Sequence, residues 1–216
     1  MVRLLARVRS GKGYEEYFRK AMFACIRPGD CVWDVGANIG LYSELFAEAV
    51  GSTGAVVSFE PSPDCVATIE ARRLASSAKS SWQVVAGALS DTDGQAWFSV
   101  AGGSTAPGNH LADHPENSTI QVRKFRADSI FAAGYPSPSV IKIDVEGFEG
   151  EVLDGLGALL AGQSLKAICA EVHFRALSER GKPTEPARMV RLLKEHNFTL
   201  TWTDKSHFVA RRRVER

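Results

Sequence analysis

Asp144 and Glu146, two residues apart after an apolar run, and Glu171 and His173, spaced the same way after a second run, are the side chains here best suited to moving protons. Carboxylates and imidazoles serve as general acids and bases once burial or a neighbouring charge brings their pKa near the working pH. Residues two apart on a strand share a face, so Glu171 and His173 can look into one pocket. Each has a plainer alternative. Lys142 shares a strand face with Asp144 and could form a buried ion pair with it, and Glu146 beside Gly147 could cap the next helix. His173 could be a structural histidine. Two or three carboxylates could also hold magnesium. No tight ligand cluster is evident in the chain, and turnover without a metal is the expectation.

A second constellation suits binding rather than proton transfer. Asp34, Gly36, Asn38 and Gly40 punctuate a strand–loop–helix junction. Gly36 lets the backbone turn and approach a ligand, Gly40 lets elements pack closely, and the helix N-terminus beyond offers unpaired N–H groups. Glu60 ends the next strand, where a carboxylate can accept from both hydroxyls of a ribose. Ala88, Leu89 and Ser90 follow the third strand and could supply an apolar ledge and a polar edge for an adenine. A dinucleotide fingerprint requires a second glycine two positions after the first, so that backbone can meet a pyrophosphate. That position is Asn38. The pattern favours S-adenosylmethionine, which carries no phosphate, over NAD.

These residues need a sheet that brings strand ends together. Residues 31–35, 55–59, 82–86, 139–144 and 167–172 read as apolar strands alternating with helices over 41–50, from 63, and over 149–160 and 186–196. That alternation predicts an α/β fold with a mostly parallel sheet and helices on both faces. Residues 198–202 and 207–210, joined by a short turn, predict a C-terminal antiparallel hairpin. A first helix is expected over 14–26, with Tyr17, Phe18, Met22 and Ile26 on one face. Strands at 95–100 and 119–125 flank residues 101–117, which lack periodicity, hold His110 and His114, and read as a mobile segment or a substrate lid.

The 216 residues suit one domain, and a formal net charge of +1 advertises neither a nucleic-acid nor a membrane partner. Arginines interrupt the N-terminal residues too often for a secretory core, so an N-terminal extension over 1–13 and a cytoplasmic location are expected. The basic residues 211–216 read as a solvated tail. Cys25, Cys31, Cys65 and Cys169 form no CxxC pair and read as small apolar side chains.

Taken as a set, DVGANIG at 34–40, FEPSP at 59–63, ALSDTDG at 88–94, IKIDVEGFEGEVLDG at 141–155 and AEVH at 170–173 resemble the FkbM family of methyltransferases, from about residue 14 to 208. The resemblance implies a Rossmann-like class I methyltransferase fold with a seven-stranded sheet, S-adenosylmethionine as cofactor, and O-methylation of hydroxyls on natural products, glycans or lipid-linked sugars. It further implies that Asp34, Gly36, Asn38 and Gly40 line the methionine end of the cofactor and that Glu60 holds its ribose. One departure is the helix after FEPSP, which lacks the family's usual asparagine across Ala71-Arg72-Arg73-Leu74-Ala75. Rival readings are an NAD-dependent oxidoreductase, disfavoured by Asn38 and the hairpin, and a non-catalytic S-adenosylmethionine-binding module, disfavoured by intact acids at Asp144, Glu146 and Glu171. The near-neutral charge speaks against an RNA substrate.

Overall fold

The computed structural model describes residues 13–106 and 108–213. The expected N-terminal extension, apart from residue 13, and the last three residues of the expected basic tail lie outside them.

The chain runs α1 (Gly13–Phe23), β1 (Cys31–Val35), α2 (Leu41–Val50), β2 (Ala55–Glu60), α3 (Pro63–Ala75), β3 (Ser81–Ala86), β4 (Ala88–Leu89), β5 (Gly94–Ser99), β6 (His110–Ala112) and β7 (Thr119–Phe125). It continues through α4 (Ala127–Ala132), β8 (Val140–Ile143), α5 (Glu149–Gly155), α6 (Ala158–Ala161), β9 (Ala167–Glu171), α7 (Phe174–Glu179), α8 (Glu185–Glu195), β10 (Phe198–Trp202) and β11 (His207–Arg212). A seven-stranded sheet has the order β10-β11-β9-β8-β1-β2-β3. The β9-β8-β1-β2-β3 pairs are parallel, and β11 runs antiparallel to both its neighbours.

Period-two alternation divides the strand residues between two cores. Trp33, Val35, Val57, Phe59, Ile141, Ile143, Ile168 and Ala170 pack on one face with Leu153, Leu156 and Leu177 from the helices. Val32, Val56, Val140, Ala167 and Cys169 pack on the other with Phe18, Met22, Leu45, Phe46 and Ile69. Burial on both faces is why these strands read as continuous apolar runs. α3 begins at a proline, and the Ser62 side chain accepts from the Cys65 N–H as its N-cap.

Several expectations need correction. Phe18, Met22 and Ile26 are buried, but Tyr17 is 69% exposed and α1 stops at Phe23. The helix expected over 149–160 is two, α5 and α6, separated where Gly157 takes a left-handed φ of 50°. α4 and α7, six residues each, escape a periodicity argument because they are under two turns long. The strands flanking residues 101–117 do not join the main sheet. They form a second, four-stranded sheet in the order β4-β7-β5-β6, with β6 drawn from inside the expected loop. Nor are Arg211 and Arg212 a solvated tail. Both lie in β11, and the Arg212 guanidinium donates to the carbonyls of Leu160, Leu165 and His196 over the Phe198 ring.

Candidate active site

The carboxyl ends of β1, β2 and β8 meet where strand order reverses, and the candidate residues collect there. β1 ends in a tight junction: the N–H groups of Gly36 and Ala37 both donate to the Phe59 carbonyl at 3.1 Å. Gly36 has φ +78°, and a Cβ on it would stand 1.8 Å from the Asp144 carbonyl oxygen. Glycine is therefore required by the close approach of the chain after β8, not only by a ligand. Gly40 packs against Ile69 of α3, where a Cβ would come within 3.1 Å.

Glu60 is nearly enclosed. Its two carboxylate oxygens accept from the Asn38 N–H at 2.8 Å and the Ser62 N–H at 2.9 Å. Burial raises its pKa to about 7, and those two N–H groups only partly oppose the rise. A cavity opens beside it, lined by Gly36, Asn38, Glu60, Ala88, Leu89, Asp144 and Glu146, with Ala106 and His110 from the 101–117 segment. That segment is tied down, since the Ser62 hydroxyl donates to the Ser104 carbonyl at 2.6 Å.

Three expected cofactor residues stand off the cavity. Gly40 is one. Asp34 is fully buried; it accepts from the Ser43 hydroxyl at 2.6 Å and pairs with Lys142 Nζ at 3.1 Å. Ser43 in turn accepts from Ser58, and Ser58 from the Trp82 indole, so Asp34 anchors a buried polar chain behind the site. Ser90 is buried too, with its hydroxyl on the Asp91 carboxylate.

The side chains expected to move protons do lie together. His173 Nε2 lies 3.2 Å from Glu146 Oε2, 3.7 Å from Asp144 Oδ1 and 4.0 Å from Glu171 Oε1. Its Nδ1 is 2.7 Å from Oε1 of Glu149, a carboxylate with no exposed surface. Burial pulls the His173 pKa down, but Glu149, Glu146 and Asp144 outweigh it and hold the imidazole at about 9. Burial pushes Glu146 up, with His173 opposing. The bland reading of Lys142 holds in part: its Nζ lies 3.5 Å from Asp144, 3.1 Å from Asp34, and donates to the Gly36 carbonyl. Glu146 does not cap α5, whose N-cap is Phe148 without a side-chain bond.

Two positioning residues escaped the sequence reading. Glu149 was legible only as the first residue of a helix, and its burial under His173 depends on β8 and β9 being neighbours. His207 holds Glu171 Oε2 at 3.2 Å and is itself held by Asp204 at 2.8 Å. His207 stands opposite Glu171 because β11 pairs with β9, a neighbour that the sequence alone does not name.

Residues 34–200 match the FkbM methyltransferase domain. The chain belongs to the FkbM methyltransferase family. A curated relative, the hexuronic acid methyltransferase AglP of Haloferax volcanii, is 30% identical over 206 residues, covering 90% of this chain and 79% of AglP. Among solved structures, a putative rRNA-methylase from Clostridium thermocellum superposes with a TM-score of 0.55 at 10% identity, covering 93% of this chain and 95% of its own. Aeropyrum pernix fibrillarin, solved with natively bound S-adenosyl-L-methionine, gives 0.50 at 10% identity, covering 90% and 74%. At such identities the structures speak for the fold alone, the class I methyltransferase fold. This FkbM-family chain is a methyltransferase that uses S-adenosylmethionine, and the NAD-dependent oxidoreductase reading falls. No described helix is long and apolar enough to cross a membrane.

Proposed function

We propose that this protein transfers the methyl group of S-adenosylmethionine to a hydroxyl of a sugar or other small molecule. One observation carries the reading: Asp144 and Glu146, with His173 and Glu171 behind them, border the same cavity as Gly36, Asn38 and Glu60. A donor with its methionine end against Gly36 and Asn38, its ribose on Glu60 and its adenine against Ala88 and Leu89 brings its sulfonium toward those acids.

The acceptor oxygen attacks the methyl carbon in line. The new O–C bond forms as the C–S bond breaks, the electron pair stays on sulfur, and the sulfonium becomes a neutral thioether. Holding oxygen and methyl in line supplies much of the rate. The hydroxyl proton must leave as the bond forms. In the free protein His173 already holds a proton at neutral pH, which makes it a poor acceptor for another. Glu171 suits the role better. His207 holds one of its oxygens, and the other is the one nearest His173.

AglP is named for a hexuronic acid, a sugar offering both hydroxyls and a carboxylate. A carboxylate acceptor needs no base, whereas a hydroxyl must give up its proton to one. The cluster therefore favours a hydroxyl. Ala106 and His110 contribute to the cavity lining, which supports reading the stretch between β5 and β7 as a substrate lid.

The test uses donor with a labelled methyl group and uronic-acid-terminated oligosaccharides, with and without prior reduction of the carboxyl. A product whose label survives mild alkali, formed on both acceptors, is the ether expected here. Label released by mild alkali, and none on the reduced acceptor, means an ester and overturns the hydroxyl reading. Label on neither sugar nor any other hydroxylated acceptor removes the sugar assignment.

A further inference from the structure

The strand end that bears Asp144 and the turn that bears Glu146 converge with His173, which follows β9, although the sequence sets the pair and the histidine 27 residues apart. One oxygen from each carboxylate and one ring nitrogen of His173 all lie within 4.8 Å of one another. Three donors at such spacing, two hard oxygens and one imidazole nitrogen, form a half-shell that leaves further positions open. The sequence showed no tight ligand cluster because its third member comes from another strand.

In the free protein these groups form an ion-pair network, and the same donors are held in the manner of a ligand set. His173 is locked from behind: Nδ1 is held by Glu149, a carboxylate wholly inside the protein. Glu149 is locked in turn, because Oε1 also accepts the Gly147 N–H, while Oε2 is buried with no partner. A carboxylate holding one ring nitrogen fixes the imidazole's orientation and leaves Nε2 to face a ligand, as in carboxylate–histidine–metal triads. Here Nε2 faces Glu146 and Asp144. Charge makes the same case. Asp144, Glu146, Glu149 and Glu171 surround the His173 imidazole, His207 pairs with Glu171 from the other side, and Lys142 is shared between Asp144 and the buried Asp34. All of this borders the cofactor cavity through Asp144 and Glu146.

We propose that Asp144 Oδ1, Glu146 Oε2 and His173 Nε2 bind one divalent cation of the Mg²⁺/Mn²⁺ class beside the cofactor cavity, with an open position for the acceptor hydroxyl. The role assigned to the open position rests on the hydroxyl-transfer reading above; the binding of the cation does not. A divalent cation there offsets the excess negative charge and makes the acceptor hydroxyl more acidic. Glu171 lies outside the ligand set and keeps its role as proton acceptor.

The experiment treats the full chain with a chelator, removes the chelator, and titrates with MnCl₂ alone, reading free Mn²⁺ by electron paramagnetic resonance. No donor or acceptor is present, so the result is independent of the methyl-transfer reading. Saturable loss of signal at one ion per chain is expected, weakened at least about tenfold by Glu146→Gln. Glu179→Gln, an exposed carboxylate paired with Arg175, should bind as the parent does. Thermal melting keeps the comparison to folded variants, and Glu146 is chosen because its side chain is already one-third exposed. No saturable binding, or binding unchanged by Glu146→Gln, overturns the site. Full turnover on a hydroxyl acceptor in excess chelator overturns the cation's role at the open position.

Discussion

Glu60 illustrates how far burial can move one group. Its carboxyl is raised to about 7 in the free protein, while both oxygens accept backbone N–H groups. Under the proposed ribose role, two sugar hydroxyls donate to the ionised form, so a proton must leave before the cofactor seats fully. Affinity for S-adenosylhomocysteine should therefore weaken as pH falls below about 7, by up to about tenfold per unit, and level off above about 8. Calorimetric titrations at pH 6 and 8 check this; equal affinities would mean that Glu60 is already ionised or touches no ribose. Lys142 poses the opposite problem. Burial lowers its pKa, but Asp34 and Asp144 more than reverse that and keep it charged. Lys142→Met leaves Asp34 as a buried carboxylate without its cation, and a loss of about 3–5 kcal/mol is expected in urea unfolding. A loss below about 1 kcal/mol would show that Ser43 alone suffices for Asp34.

Between elements, the decisive contact joins the ends of β1 and β8. Gly36→Ala would drive a methyl group into the Asp144 carbonyl and strain a left-handed backbone. Either the two strand ends separate or β1 shifts, and both outcomes displace Asn38 from Glu60. Cofactor affinity should fall by at least about a hundredfold, with about 2–4 kcal/mol of stability lost; a variant that binds S-adenosylhomocysteine normally would contradict the contact. The motif around Gly36 was legible because the chain needs glycine there whatever the ligand. The central elements of the main sheet were legible for a related reason: strands buried on both faces are apolar throughout, and β1 and α2 fall where the pattern places them. Strands of two or three residues, β4 and β6, and helices of six, α4 and α7, offer too little periodicity to be seen. Partnerships across the sheet, Glu149 with His173 and His207 with Glu171, were hidden because they depend on which strands become neighbours.

For the molecule as a whole, the second sheet lies beside the cavity, whose lining includes Ala88, Leu89, Phe98, His110 and Leu111. Phe98, Leu111 and Val122 build a small core of their own with Ala88 and Phe148, joining that sheet to the segment that follows β8. The segment between β5 and β6 is pinned at one end by Ser62 on Ser104, and beyond β6 by Arg180 on Asp113. Saturating S-adenosylhomocysteine should slow amide exchange across residues 101–113, read by mass spectrometry; unchanged exchange there would remove the lid role. The order of the main sheet has a consequence for synthesis of the chain. β11 is the last described strand in sequence, yet it lies between β10 and β9. Until residues 207–212 are available, Ala167–Glu171 is an open edge whose first four residues are buried and apolar in the finished sheet. β10 meanwhile has no strand to pair with. A nascent or truncated chain that stops short of residue 207 thus presents an unpaired apolar edge to other chains, and the interval before β11 inserts is when that edge is open to aggregation.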